Sequence, residues 1–523
     1  MAIAASTAFA TSAGAQTLIF CSEGSPENFS PALSTAGTTF TASSTPIYNR
    51  LAQFDRGTTS VIPGLAESWD VSDDGLTYTF NLREGVPFHS TGYFTPSRDF
   101  NADDVMFSFE RQLDTEHPFH NISGGTYTYF NGMGMGDLIE SIDRVDDYTV
   151  RFNLTQPVSP FLSNLAMDFA SIYSAEYAEQ MMDAGTPEQL DLQPIGTGPW
   201  VFQAYQRDAV IRYLRNNDYW GGPAGVENLI YSITPDPQVR YQKLLAGECH
   251  IMAYPNPADL EQMEANEDVN VMTQEGLNVG YLAFNTEREP FDNRDVREAL
   301  AMAVDRQAIL DAVFQGAGQI ATNPIPPTMW SWNGEVVDHE YDPDAARALL
   351  AEAGYPDGFS TDIWAMPVQR PYNPNARRMA ELIQEDWAQI GVDAEIISYE
   401  WGEYLQRSRD GEHDTVLLGW TGDNGDPDNF LNDLLGCAAA EVGNNRARWC
   451  HEPFESLIQE ARTISNQDER TPLYEQAQAV FKEEVPWLTV AHSVVFVPMR
   501  SEVEGYIIDP LGSFGFYEVT LAE

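Results

Sequence analysis

From about residue 276 to residue 493, strand-like apolar runs alternate with amphipathic helical stretches, and no other feature of the chain limits its fold as tightly. That alternation predicts an α/β domain with a buried sheet. "DVREALAMAVDRQAILDAVF" reads as one helix, closed at its end by Gly316 and Gly318. "NARRMAELIQEDWAQIG" places Met379, Leu382, Ile383, Trp387 and Ile390 on one face and stops at Gly391. Upstream, "VRYQKLLAGECHIM" is a further amphipathic helix.

The earlier half is richer in hairpins. Residues 63–83, "PGLAESWDVSDDGLTYTFNLR", alternate apolar and polar positions on either side of Asp74-Gly75, a strong two-strand signal. Asp70, Ser72, Asp74 and Gly75 imitate the start of a calcium loop, but Asn81 stands where that loop needs a glutamate. Asn101 and the pair Asp103-Asp104 open "NADDVMFSFERQL", a helix able to pack Val105, Phe107, Phe109 and Leu113 on that sheet. "DRVDDYTVRFNL" follows as another strand. At 523 residues the chain exceeds what one core serves, so at least two domains are expected, with no repeat, low-complexity tract or proline-rich linker between them.

Lys and Arg total 28 against 79 Asp and Glu, a net charge of -51. Such a balance opposes nucleic acid and anionic lipid, and nucleic acid is excluded as a partner. The only lysines are Lys243 and Lys482, so the acidity is spread over a solvated surface. The first fifteen residues, "MAIAASTAFATSAGA", are small and uncharged and end in a small-x-small pattern, which reads as the remnant of an export signal. No later run approaches the roughly 20 apolar residues that span a bilayer, so a soluble exported product is expected. Cys21, Cys249, Cys437 and Cys450 form an even set without zinc or CxxC spacing, which favours two disulfides. Cys437 and Cys450 would close a short loop, worth on the order of 3 kcal/mol. The bulky Phe20 before Cys21 argues against lipid attachment.

Catalytic signatures are missing: no GxSxG, HExxH, phosphate-binding GxxxxGK[ST] or dinucleotide fingerprint occurs. The eight histidines show no paired metal spacing. Neither enzyme chemistry nor a cofactor is called for. One stretch stands out instead. "GWTGDNGDPDN", 419–429, packs three aspartates, two asparagines and three glycines between a strand-like run and an amphipathic segment. A metal site, a surface turn and a clamp for a cationic ligand all fit it, although Pro427 interrupts calcium spacing.

Taken in order, "CSEGSPENFSPALSTAGTTF", "PIYNRL", "PIGTGPW", "SITPDPQVRY", "YPNPADL", "AMPVQRPYNPNARRMAE", "YEWGEYL" and "GWTGDNGDPDNF" resemble the family 5 solute-binding proteins of ATP-driven peptide, oligopeptide and nickel importers. The likeness runs from about Thr17 to the end. It implies an α/β, two-lobed periplasmic-binding-protein fold of the class II, cluster C type. Lobe I would hold 16–277 plus 494–523, with an extra subdomain at about 47–190, and lobe II 278–493. Two crossover strands would form the hinge, near 278–285 and 491–499. It further implies a monomeric periplasmic receptor, not an enzyme, that binds a dipeptide and meets an inner-membrane ABC permease. Haem, nickel, glutathione or longer peptides are the alternative cargoes on the same fold; an exported hydrolase is the alternative from another class.

The resemblance also implies a site. A dipeptide is a zwitterion whose charged ends are separated by two residues of extended chain at roughly 3.3 to 3.6 Å each. A buried carboxylate and guanidinium at fixed separation would gauge that length, because a longer peptide strands one terminus. Asp423 matches the residue that grips the α-ammonium, and Arg370 in "MPVQRPYNP" the one that takes the carboxylate with its planar fork. Pro371 biases Arg370 away from helix. Trp420, Thr421 and Gly422 match backbone contacts from the same lobe, and Thr35, Ala36 and Gly37 those from the other. Gly422 and Gly425 would admit close backbone approach. Asp426, Asp428 and Asn429 should brace the loop and cap the next helix, and Arg377 and Arg378 should be solvated.

Overall fold

The structure, a computed structural model, describes residues 16–441 and 444–522; the segment 1–15, read as an export signal remnant, lies outside them. Its centre is one strand. Trp487–Arg500 runs 14 residues and pairs antiparallel with two consecutive segments, Val269–Glu275 along its second half and Asn278–Phe284 along its first. Beyond Asn278–Phe284 the sheet continues through Thr415–Thr421, Ser360–Trp364 and Asp393–Ile397. On the other side it continues through Ile251–Met252, Thr17–Ser22, Asn228–Ile233, Val210–Arg215 and Trp200–Gln206.

Two large apolar cores flank the long strand. One draws on side chains from Leu18 to Ala253 and again from Val497 to Val519, the other on side chains from Leu277 to Ala491. Where the chain passes between them, Asn278 Oδ1 accepts from the Ser493 backbone N–H and hydroxyl (3.0 and 3.1 Å), and His492 Nδ1 lies 2.8 Å from the Asn278 carbonyl. The strand periodicity explains the second core: Asn278–Phe284 is buried throughout, as a central strand covered on both faces must be.

Around the first core the Asp74-Gly75 hairpin and the Asn101 helix form as expected, but "DRVDDYTVRFNL" is not one strand: Asp147 and Tyr148 turn it into two antiparallel ones, and Phe107 packs on His117 and Phe119 (5.5 and 5.3 Å). Gly75 adopts φ +70° between strands Ala66–Val71 and Thr77–Leu82, which join Thr149–Leu154 and Ile139–Asp146 in a four-stranded sheet. Helix Ala102–Leu113 starts in a reciprocal cap: the Asn101 side chain accepts from Asp103 N–H, and the Asp104 carboxylate from Asn101 N–H. Its Phe109 meets Phe152 of the sheet edge-on at 5.0 Å.

Two helices are shorter than their sequence patterns. The stretch 295–314 is broken into Arg294–Met302 and Arg306–Phe314, the second winding more loosely from Leu310. Asp305 causes the break, because its carboxylate accepts from Ala308 N–H and starts a new helix. Gln315 (φ +50°) and Gly316 (φ +91°) end it, whereas Gly318 already belongs to strand Gly318–Ile320. The upstream helix is Pro237–Leu245, stopped by Gly247 at φ +72°. Disulfides join Cys21 to Cys249 and Cys437 to Cys450.

Candidate functional site

Strand Thr415–Thr421 delivers the loop 422–427, and helix Asp428–Leu435 carries the chain away. Asn429 organises this turn. Its Oδ1 accepts from Asp423 N–H (2.8 Å) and Trp420 Nε1 (3.1 Å), while its Nδ2 donates to Asp423 Oδ2 (3.2 Å) and Asp433 Oδ2 (3.1 Å). The three aspartates of the loop then divide their roles. Asp426 is held by both terminal nitrogens of Arg470 at 2.7 Å and accepts from Asp428 N–H; Asp428 pairs with Arg462 at 3.2 Å. Asp423 alone has no cationic partner among the described residues; its Oδ1 accepts from the Tyr129 hydroxyl at 2.7 Å. Pro427, at the N-cap of helix Asp428–Leu435, has no capping side chain, and Asp426 takes the first N–H of the helix instead, while Asp428 and Asn429 brace the loop.

Tyr129 belongs to the other core, so its bond to Asp423 crosses between the two bodies. Asn424 crosses too, donating to Asn164 Oδ1 at 3.2 Å. A Cβ at Gly425 would collide with the Thr59 side chain, which is why this loop tip is glycine.

Between the two cores lies a cavity of about 150 Å³. Seven of the eight expected ligand-contacting residues line it: Thr35, Ala36, Gly37, Arg370, Trp420, Thr421 and Asp423. Gly422 does not. Its N–H donates to the Leu277 carbonyl at 2.8 Å and its α-carbon faces Phe430 and Leu277, so glycine is needed there for protein packing. Thr35 to Gly37 lead into the short helix Gly37–Ala42 on the first body, and the Trp420 ring packs on both cores.

Arg370 sits on a turn whose Arg370 and Asn373 backbones bond each other reciprocally (3.1 and 3.0 Å). Its guanidinium lies over the rings of Trp401 (5.4 Å) and Tyr254 (6.0 Å), with Nη1 on the Gln369 carbonyl. The nearest carboxylate is Glu23, at 3.8 Å. Arg377 and Arg378 are exposed and reach only Glu381.

Burial pushes the Asp423 carboxyl up to about 7, against the hydrogen bonds from Tyr129 and Asn429, which favour its charged form. Asp509, in the same wall, is likewise pushed up to about 7 by burial, with the charge of Asp168 adding to the effect. Asp168 itself is paired with Arg50 at 2.9 Å. Asp509, Tyr129 and a second wall arginine, Arg446, went unread in the sequence. Only Arg446 left a local trace, as an arginine inside the loop that Cys437 and Cys450 close.

The family model for bacterial extracellular solute-binding proteins, family 5 (middle region), matches residues 60–441, well over half of the chain. The chain belongs to family 5 of the bacterial extracellular solute-binding proteins. The dipeptide-binding protein of Escherichia coli K12 is 58% identical over 98% of this chain and 96% of its own. Heme-binding protein A of Haemophilus influenzae is 52% identical over 98% of this chain and 93% of its own. Among solved structures, the dipeptide-binding protein from Pseudoalteromonas sp. SM9913 in complex with Met-Leu superposes with a TM-score of 0.94 at 42% identity, covering 97% of this chain and all of the other. The family 5 fold is two-lobed, and here no helix among the described residues is long and apolar enough to cross a membrane.

Proposed function

We propose that this family 5 protein is a periplasmic receptor that closes around a dipeptide and presents it to the permease of an inner-membrane ABC importer, making and breaking no bond. One observation carries the reading. A single cavity wall bears a carboxylate that meets only neutral donors, Asp423, and a guanidinium resting on two aromatic rings, Arg370. A zwitterion answers both, its ammonium on Asp423 and its carboxylate on Arg370. The binding of Met-Leu by the Pseudoalteromonas relative and the name of the Escherichia coli one support this cargo.

In this reading lobe I comprises 16–277 and 494–523, with the subdomain at about 47–190, and lobe II comprises 278–493. The hinge is the pair of segments that Asn278 and Ser493 tie together. Closure brings the Thr35 to Gly37 wall onto Trp420 and Thr421, and the receptor acts as a monomer. The Haemophilus relative raises haem as a second cargo. The described residues of the cavity wall, however, include no His, Cys or Met, so of the usual axial ligands of haem iron only tyrosine is there, and a peptide suits the wall better.

Calorimetric titration tests the two-ended clamp. A dipeptide binds more tightly than its C-terminal amide and than a pentapeptide, since each of those leaves one buried charge unanswered. Equal affinities for all three refute it. Affinity also depends on pH in a defined direction. As pH rises through about 7, Asp423 becomes ionised and gains its attraction for the peptide ammonium, so binding strengthens. Above about 8 the peptide amine loses its proton and binding weakens again. Asp509 titrates in the same cavity, so Asp423→Asn blunts the acidic limb without abolishing it. A flat profile between about pH 5 and 7, where the free carboxyl is largely protonated and binding must displace its proton, removes Asp423 from the ammonium site.

A further inference from the structure

Six arginines are buried: Arg111, Arg240, Arg297, Arg446, Arg462 and Arg470. Five are answered by protein oxygen. Arg111, Arg462 and Arg470 pair with Asp191, Asp428 and Asp426, and Arg240 and Arg297 each donate to several backbone carbonyls. Arg446 differs. It is 6% exposed, and among the described residues its side chain makes one hydrogen bond, from Nε to Ser408 Oγ at 3.1 Å. Its Nη1 is buried without a partner, and no carboxylate among the described residues lies within ion-pairing distance. Its charged neighbours, Arg409 and Arg448, are also cations, and Arg448 spends its donors on the carbonyls of Ala440 and Arg409. In a chain of net charge -51, three arginines thus stand together beside a cavity whose wall also holds Asp168, Asp423 and Asp509.

An uncompensated buried guanidinium costs several kcal/mol unless something supplies the anion. Burial, with the other arginines adding to it, draws its pKa down to about 10, so at neutral pH it still carries its charge. Arg446 faces the same cavity as Asp423 and Arg370, in a wall shared with Leu405, Leu418, Leu434 and Tyr281. Apolar side chains beside a cation suit a short aliphatic chain ending in a carboxylate. The backbone that carries the guanidinium is also held in place. The Arg446 carbonyl lies 2.8 Å from His413 Nε2, Asn445 donates to the Trp449 carbonyl at 2.7 Å, and the Cys437–Cys450 disulfide closes the loop around them. It hangs on a different segment from Arg370, whose turn lies at 370–373 and whose closest acid is Glu23.

We propose that Arg446 makes the cavity selective for dipeptides bearing an acidic side chain, aspartate or glutamate. This rests on the dipeptide reading above: Asp423 and Arg370 take the two termini, and Arg446 takes the third charge. The surface acidity does not oppose it at close range, because exposed charges more than about 8 Å away are screened at physiological salt, whereas a buried contact is not.

The test is calorimetric titration of the whole protein with Ala-Ala, Glu-Ala, Ala-Glu, Gln-Ala and Ala-Gln. In the unsubstituted protein, at least one glutamate peptide binds about tenfold or more tightly than its glutamine counterpart, as a charge-assisted contact implies. In Arg446→Gln that ratio falls to near one. Glutamate peptides that bind no better than glutamine peptides, while Ala-Ala binds, overturn the proposal and leave the dipeptide reading intact. A preference that survives Arg446→Gln also overturns it. No binding by any of the five overturns the dipeptide reading itself, and this proposal with it. If Arg446→Gln does not fold, the comparison of glutamate with glutamine peptides in the unsubstituted protein decides alone.

Discussion

Asp423→Asn weakens dipeptide binding by about 2 to 5 kcal/mol, roughly 30-fold to several thousand-fold in affinity. The loss arises chiefly in the complex. Asparagine keeps the size of the side chain and its Oδ1 still accepts the Tyr129 hydroxyl, so the contact with the first core persists although the bond from Asn429 Nδ2 is lost. What disappears is the countercharge beside the peptide ammonium, and Asp509, itself raised to about 7 by burial, answers it only in part. Asp426 and Asp428 cannot replace it, because each is bound to an arginine of its own. Calorimetry on the variant measures the effect, with the melting temperature as control for the fold. Unchanged affinity excludes Asp423 from contact with the ligand.

Arg470→Met costs about 3 to 5 kcal/mol of folding stability, the usual penalty for leaving one partner of a buried ion pair alone. Asp426 loses both of its guanidinium bonds and remains buried, and Arg470 also ceases to donate to the Ala461 carbonyl and the Tyr474 hydroxyl. The damage reaches the site through a short route. Asp426 Oδ1 accepts Asp428 N–H, at the start of the helix that bears Asn429, and Asn429 positions Asp423. Urea unfolding therefore shifts to lower concentration, and peptide affinity falls with it. Adding Asp426→Asn to Arg470→Met recovers part of the stability, because the stranded charge is gone. A double variant no more stable than the single one refutes the ion-pair explanation.

What the sequence disclosed follows from how far each interaction reaches along the chain. Asp74-Gly75 and the Asn101 cap are complete within a few residues, so their strands and helix were legible. Asp305 was not, because an amphipathic period of good helix formers continues across it and hides a cap in mid-run. Asp423 and Arg370 were found through resemblance to a family, not from periodicity. Tyr129 stands 294 positions from the carboxylate it bonds, and nothing near it in sequence announces that contact. At Gly422 the structure adds a second demand that the sequence did not show: packing against Phe430 and Leu277 requires glycine. The uncompensated charge of Arg446 could not be read at all, since a missing partner is a property of the whole packed interior.

The first core is assembled from two stretches separated by the entire second one: Phe20 packs its ring on Phe514 and Phe516, at 4.7 and 5.1 Å. A chain delivered from its amino end presents Phe20 hundreds of residues before those partners emerge. The half containing Leu277 to Ala491 can condense on its own, while the half begun first waits, with apolar strands uncovered, for the closing segment to arrive. Whatever shields newly delivered chains from one another must do so for longest over the part that was made earliest.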